Sequence, residues 1–164
     1  MEKFKDVSFD DIGKGAALLA ERIMQEKGKP GRIVYIQRGG MVLARLLSDE
    51  LGVSNMTPVV ASHYKGVGEV EDEVAVGRIW EVNGDGYSLL VDDVADRGDT
   101  LKEVTGKLAL VSKDEIVTCT LYMKPHSVFA PDFYAYSVPD DVWIIFPYEK
   151  SETRRSLNRT EASL

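Results

Sequence analysis

The chain has 164 residues, 44% of them hydrophobic and 29% charged, with Gly 14 and Pro 6. That is the composition of an ordinary globular domain and excludes a disordered or fibrous chain. Lys+Arg 20 against Asp+Glu 27 gives a net charge of −7; such a chain lacks the field that non-specific nucleic-acid binding needs, although local groups can still hold a small anion. Cys119 is the single cysteine, which excludes an internal disulfide framework and a cysteine-rich zinc site. The charged start MEKFKDVSFDD does not read as a signal peptide, and no apolar run approaches the roughly 20 residues that span a bilayer. The expectation is a cytoplasmic protein without membrane contact: one domain over residues 1–150 and a polar tail over 151–164.

In chain order, Ser8 followed by Asp11 reads as a capping-box-like helix start, and Phe9, Ile12, Ala16, Leu19 and Ile23 recur at helical spacing until Gly28. Residues 32–37 (RIVYIQ) predict a buried strand, Arg38-Gly39-Gly40 a tight loop, and Met41–Leu51 a second helix closed by Gly52. Residues 57–62 (TPVVAS) predict a strand. The polar, glycine-rich stretch 65–77 shows no helical stripe and predicts a mobile loop with Gly66 and Gly68 as hinges. A short strand over 78–82 and a turn at Asn83-Gly84-Asp85-Gly86 follow. Strands are then predicted over 87–91, 115–123, 132–136 and 142–146, with a helix over 100–111. This alternation predicts an α/β fold, with a mostly parallel central sheet flanked by helices on both faces. Such folds place ligands at the carboxyl ends of the strands.

The segment Leu89-Leu90-Val91-Asp92-Asp93-Val94-Ala95-Asp96-Arg97-Gly98-Asp99-Thr100 carries the strongest chemical signal. An apolar strand runs into two adjacent carboxylates, a third acid opens a glycine turn, and Thr100 begins a helix. Backbone N–H groups of residues 97–100 would converge at a helix N-terminus, which suits a phosphate dianion. The carboxylates suit vicinal hydroxyls and a phosphate-bound divalent metal. A phosphorylated sugar satisfies both halves. Solvated strand-end and capping acids are the bland alternative. A receiver domain, which also carries an acidic pair, is excluded because its pair follows the first strand.

This segment resembles the phosphoribosyl-pyrophosphate (PRPP) signature of the type I phosphoribosyltransferase family. Ile36-Gln37-Arg38-Gly39-Gly40 resembles the family's pyrophosphate loop, and Ser62-His63-Tyr64 the start of its mobile active-site loop. Met123-Lys124-Pro125 and the run from Asp141 to Glu149 resemble the base-binding region of 6-oxopurine enzymes, closest to the family's bacterial xanthine-guanine and archaeal purine members. The four motifs occur in order across residues 33–149. The resemblance implies the type I fold with a small hood over the carboxyl ends of the strands. It also implies transfer of 5-phosphoribose from PRPP to hypoxanthine, guanine or xanthine, with Mg²⁺ and release of pyrophosphate.

The resemblance further implies that Arg38, Gly39 and Gly40 bind the pyrophosphate and that Asp92 and Asp93 hold the ribose hydroxyls, with Asp93 helping to place the metal. Arg97, Gly98, Asp99 and Thr100 would cradle the 5′-phosphate, Asp96 would be the general base for the purine ring proton, and Ser62 and Tyr64 would begin the part that closes over PRPP. Lys124 would donate to the purine 6-oxo group, a role useless against the amino group of adenine. Trp143, Ile144 and Phe146 would line the base pocket, one of the aromatics by stacking. His63, His126 and Cys119 read as structural or solvated. A homo-oligomer, dimer or tetramer, is implied as well.

Two positions depart from the signature. Arg97 stands where a Thr usually follows the third Asp, and Asp99 adds an anion beside the phosphate loop. Arg97 can replace the lost hydroxyl by a charge-assisted contact, or it can screen Asp99. These departures leave open a PRPP- or nucleotide-binding regulatory protein with little turnover, and an enzyme for another base.

Overall fold

The computed structural model describes residues 3–64, 73–79, 86–151 and 155. Its core follows from the sidedness of the strands. β2 (Arg32–Gln37), β3 (Met56–Tyr64), β4 (Glu73–Val76), β5 (Ser88–Ala95), β6 (Ile116–Met123) and β7 (Phe133–Ser137) form a six-stranded sheet in the order β4-β3-β2-β5-β6-β7. Every pair is parallel except β3–β4. Successive side chains point to opposite faces. Ile33, Leu89, Val91, Val117, Cys119 and Leu121 therefore pack with Ala16, Leu19 and Ile23 of α1 (Phe9–Glu26) and Leu43 and Leu47 of α2 (Gly40–Glu50). Val34, Ile36, Val59 and Leu90 pack with Leu101, Val104 and Leu108 of α3 (Asp99–Val111) on the other face. Burial on both faces explains why these strands read as apolar runs rather than alternating ones.

Most predicted elements stand within a residue or two of where their patterns place them. Ser8 caps α1 through a full capping box with Asp11. Four features differ. β1 (Lys3–Asp6) has no apolar signature, yet it pairs in parallel with β8 (Val142–Ile145), Phe4 lying opposite Trp143. This pair forms a separate two-stranded sheet. The predicted mobile loop over 65–77 is too long a reading, because Glu73–Val76 form β4 and pair antiparallel with Ala61–Tyr64; residues 65–72, including Gly66 and Gly68, lie outside the described residues. Residues 77–79 are not strand, while the rest of that predicted strand and most of the Asn83–Gly86 turn lie outside the described residues. Finally, β5 does not end at Val91. It runs on through the acidic pair to Ala95, still in register with β6: Asp92 opposite Thr120 and Ala95 opposite Met123.

The order of the sheet fixes where a crevice opens. β2 leads through α2 to β3 on one side, while β5, on the other side of β2, leads through α3 to β6. Between the carboxyl ends of β2 and β5 the connections leave in opposite directions, the point where open α/β sheets accept ligands.

Candidate active site

Two helix starts flank this crevice. α2 begins directly after Arg38-Gly39, and the Gln37–Arg38 peptide is cis. α3 begins after Gly98, which holds φ +86, a conformation that favours glycine. Neither start has a side-chain cap hydrogen bond. Close approach explains the two glycines of the first loop. A Cβ on Gly40 would collide with the Val91 carbonyl oxygen and with Asp92 Cα, and a Cβ on Gly39 would collide with the Asp93 carboxylate. The predicted pyrophosphate loop and the predicted ribose-binding acids are thus packed against each other.

Asp92 and Asp93 are each only 8% exposed. Burial pushes the Asp92 carboxyl well above the usual carboxylate range, and the neighbouring Asp93 charge adds to the effect. Burial also pushes Asp93 up, to about 6, with the Glu149 charge acting in the same direction. The Asp93 amide donates to Asp92 Oδ1 at 3.0 Å, and the Tyr148 hydroxyl donates to Asp93 Oδ2 at 3.3 Å. Tyr148 also reaches the Gly39 carbonyl, at 3.5 Å. Tyr148, from the segment after β8, therefore reaches the strand ends at the acidic pair. Burial raises the Tyr148 phenol far above its ordinary value, so it remains a donor.

At the end of β5 the chain turns through Asp96, Arg97 and Gly98. Lys124 follows β6 and is 6% exposed. Its Nζ lies 3.1 Å from Asp96 Oδ2, so the predicted base-recognising cation and the predicted general base form one pair. His126, which reads as structural or solvated in the sequence, stands in this cluster: Nε2 lies 3.0 Å from Asp96 Oδ1 and Nδ1 lies 2.6 Å from Asp140 Oδ1. Its position two residues after Lys124 was a weak signal, and Asp140 gave none.

The other predicted residues divide. Arg97 forms an ion pair with Asp99 at 2.8 Å, without an aligned hydrogen bond at the buried Asp99 Oδ2, so the screening alternative describes this state. Thr100 lies in the first turn of α3. Trp143 is 57% exposed. Phe146, in contrast, is 2% exposed and stacks on Tyr148 at 5.2 Å in the core. The expectation that Phe146 lines the base pocket is corrected by that packing, since an inward residue next to the sheet has no face left for a ligand. Ile144 is half-buried against the same core. Ser62 is exposed in β3, opposite Ala75, and Tyr64 stands opposite Glu73 in the same ladder. β3 thus runs on past its predicted end at Ser62 to Tyr64.

Comparison with known proteins gives the family and the fold. Residues 8–153 match the phosphoribosyl transferase domain. A xanthine-guanine phosphoribosyltransferase of Gluconobacter oxydans is 32% identical over 147 residues, which is 89% of this chain and 84% of that protein. The crystal structure of a purine phosphoribosyltransferase from Pyrococcus horikoshii superposes with a TM-score of 0.74 at 27% identity, covering 88% of this chain and 93% of that one. A xanthine-guanine-hypoxanthine phosphoribosyltransferase of Helicobacter pylori shares the fold, with a TM-score of 0.78 at 21% identity over 93% of this chain and 98% of that one.

Proposed function

The chain belongs to the phosphoribosyltransferase family, and from that premise we propose that it is a purine salvage enzyme transferring 5-phosphoribose from PRPP to a 6-oxopurine: hypoxanthine, guanine or xanthine. The observation that carries the choice of base is the buried Lys124 paired with Asp96 at the mouth of the crevice. A buried ammonium has donors only, which match an oxo group and not an amino group.

In this reading a purine nitrogen bonds to the ribose C1, the C1–oxygen bond to pyrophosphate breaks, and the ring proton passes to Asp96. The transition state resembles an oxocarbenium ion with negative charge growing on the pyrophosphate, so the leaving group needs donors already in place. Arg38 and the backbone at Gly39 and Gly40 supply them beside the uncapped start of α2. The turn from Arg97 to Thr100 receives the 5′-phosphate at the start of α3, with Arg97 turning from Asp99 to the phosphate. Asp92 and Asp93 accept from the ribose hydroxyls. Lys124 leaves Asp96 for the purine oxygen, Trp143 stacks on the ring, and Ile144 lies beside it. Ser62 and Tyr64 lead into the segment that closes over PRPP and excludes water.

The family generally uses Mg²⁺ with PRPP. Two adjacent buried carboxylates whose charges are disfavoured by burial suit a divalent cation that would neutralise them. Among the described residues no three His, Cys, Asp or Glu side chains form a metal cage, so substrate oxygens and water would complete the shell, as is usual for this ion. Asp93 would hold it, and the ion would supply charge to the departing pyrophosphate. A homo-oligomer, dimer or tetramer, in the cytoplasm belongs to the same reading. No helix among the described residues is long and apolar enough to cross a membrane.

The test is a product assay with purified protein, PRPP, Mg²⁺ and, separately, hypoxanthine, guanine, xanthine, adenine and uracil. Mononucleotide from 6-oxopurines alone is expected. Product from adenine or uracil refutes the role given to Lys124. No product from any base, with PRPP still bound, points to a regulatory protein instead.

A further inference from the structure

Resting on that reading, we propose that His126, held by Asp140, is a positioning residue that grips the Asp96 carboxylate through Oδ1 and thereby reserves Oδ2 for the purine ring proton.

Both contacts of the imidazole are specific. Nδ1 faces Asp140 Oδ1 at 2.6 Å and Nε2 faces Asp96 Oδ1 at 3.0 Å. The His126 amide donates to the same Asp140 oxygen at 3.1 Å, so one carboxylate oxygen fixes both the backbone and the ring of His126. The hydrogen bond from that amide, followed by the one from the ring, holds the Asp140 carboxyl below its usual range, so Asp140 acts as an acceptor and Nδ1 donates; Nε2 then donates to Asp96 Oδ1 as well only in the imidazolium, the form in which both ring nitrogens carry protons. Among the described residues, the charged side chains in contact with the imidazole are these two carboxylates, with Lys124 on the far oxygen of Asp96.

The spacing between His126 and Asp96 is set by backbone. The Lys124 amide donates to the Ala95 carbonyl at 3.0 Å, and the Val128 amide donates to the Arg97 carbonyl at 2.9 Å. The turn carrying His126 is therefore pinned to the turn carrying Asp96 on both sides of the pair. Gly98 makes this approach possible, since a Cβ there would collide with Ser127 Oγ and the Phe129 backbone.

The division of labour follows from the two oxygens. Lys124 shares Oδ2 in the free protein and is the side chain assigned to the purine oxo group. When it moves, Oδ2 is released while Oδ1 stays engaged, so the carboxylate does not rotate as the base arrives. A carboxylate misplaced by about 1 Å loses on the order of a hundredfold in rate; His126 and Asp140 prevent that loss.

The test is steady-state kinetics of His126→Ala, His126→Gln and Asp140→Asn, each also combined with Asp96→Asn. Removal of the imidazole is expected to lower kcat roughly tenfold or more with KM for PRPP little changed. Gln, whose amide can still donate to Oδ1, recovers part of the loss. In the Asp96→Asn background the same substitution has no further effect, because there is no carboxylate left to position. Unchanged kcat, or an equal loss in both backgrounds, overturns the proposal. A second readout does not depend on turnover: the ¹⁵N resonances of the His126 ring are expected to shift in Asp96→Asn and in Asp140→Asn, and fixed resonances overturn the proposal. If the wild-type protein makes no nucleotide from any base, the functional reading fails. The resonances then still decide whether His126 holds Asp96.

Discussion

At the start of α1 the Asp11 amide donates to the Ser8 hydroxyl at 3.1 Å and the Ser8 amide donates to the Asp11 carboxylate at 2.9 Å, closing the helix on itself. At the starts of α2 and α3 a glycine occupies the cap and no side chain does this work. All three are ordinary helices feeding one sheet, yet only the two that border the crevice start without a side-chain cap. A capped start is the cheaper solution for stability, worth about 1 kcal/mol. An uncapped one, at the end of a parallel strand, is a place for an anion. The same contrast holds for charge. Asp11 is solvent-exposed and its carboxyl is held below the usual range by the Ser8 side chain, whereas Asp92 and Asp93 are buried and raised. One helix start is closed by its own side chains, and the two beside the crevice are left for a ligand to complete.

The harshest way to break this contrast is Gly40→Ala. Its methyl would meet backbone atoms of β5, which cannot move without the strand. We expect a loss of roughly 2–3 kcal/mol, a melting temperature lower by roughly 5–10 °C, and loss of transferase activity in the protein that remains folded. An unchanged melting curve would show that the loop and strand are not packed as described.

Asp93→Asn tests the opposite sign. A carboxyl raised to about 6 in the folded state favours folding below its unfolded value, and this benefit is lost as pH rises toward 6. Above that, the buried charge weighs on the fold. The substitution is therefore expected to stabilise the ligand-free protein at pH 8, on the order of 1–2 kcal/mol, to flatten its stability between pH 4 and 6, and to reduce activity. Denaturant melts at pH 5 and pH 8 measure this; a variant less stable at pH 8 would contradict the assigned burial penalty.

Ser8→Ala removes the box at α1. About 1 kcal/mol of stability should go, while kcat and KM stay as they were, because neither Ser8 nor Asp11 is among the residues assigned to the substrate. A kinetic change would merge the two regions that the comparison separates. Smallest in stability is Arg97→Ala. Its guanidinium is largely exposed although the Asp99 oxygen it faces is buried, so less than about 1 kcal/mol is expected from the melt. The KM for PRPP should rise a few-fold if Arg97 turns to the 5′-phosphate, and an unmoved KM would leave Arg97 only the screening of Asp99.

Much of this was legible along the chain. The capping box, the apolar run of residues 32–37, the acidic segment ending in a glycine turn and the alternation of helices with strands are local signals, each carried by neighbouring residues whose propensities agree. They were enough to determine the parallel α/β architecture, the end of the sheet where chemistry sits, and the family resemblance of the loops. What tertiary structure decided concerns residues whose partners lie far off in the sequence. β1 is polar and acquires its strand from β8, more than a hundred residues later. Glu73–Val76 become a strand because Ala61–Tyr64 offer an edge. Phe146 and Trp143 look alike three residues apart, and only packing against Tyr122 and Tyr148 sends one to the core and leaves the other open. His126 acquires its place from two backbone hydrogen bonds between turns and from Asp140. Propensity and periodicity act over a few residues, whereas burial and hydrogen-bond partnership are settled only when distant segments meet.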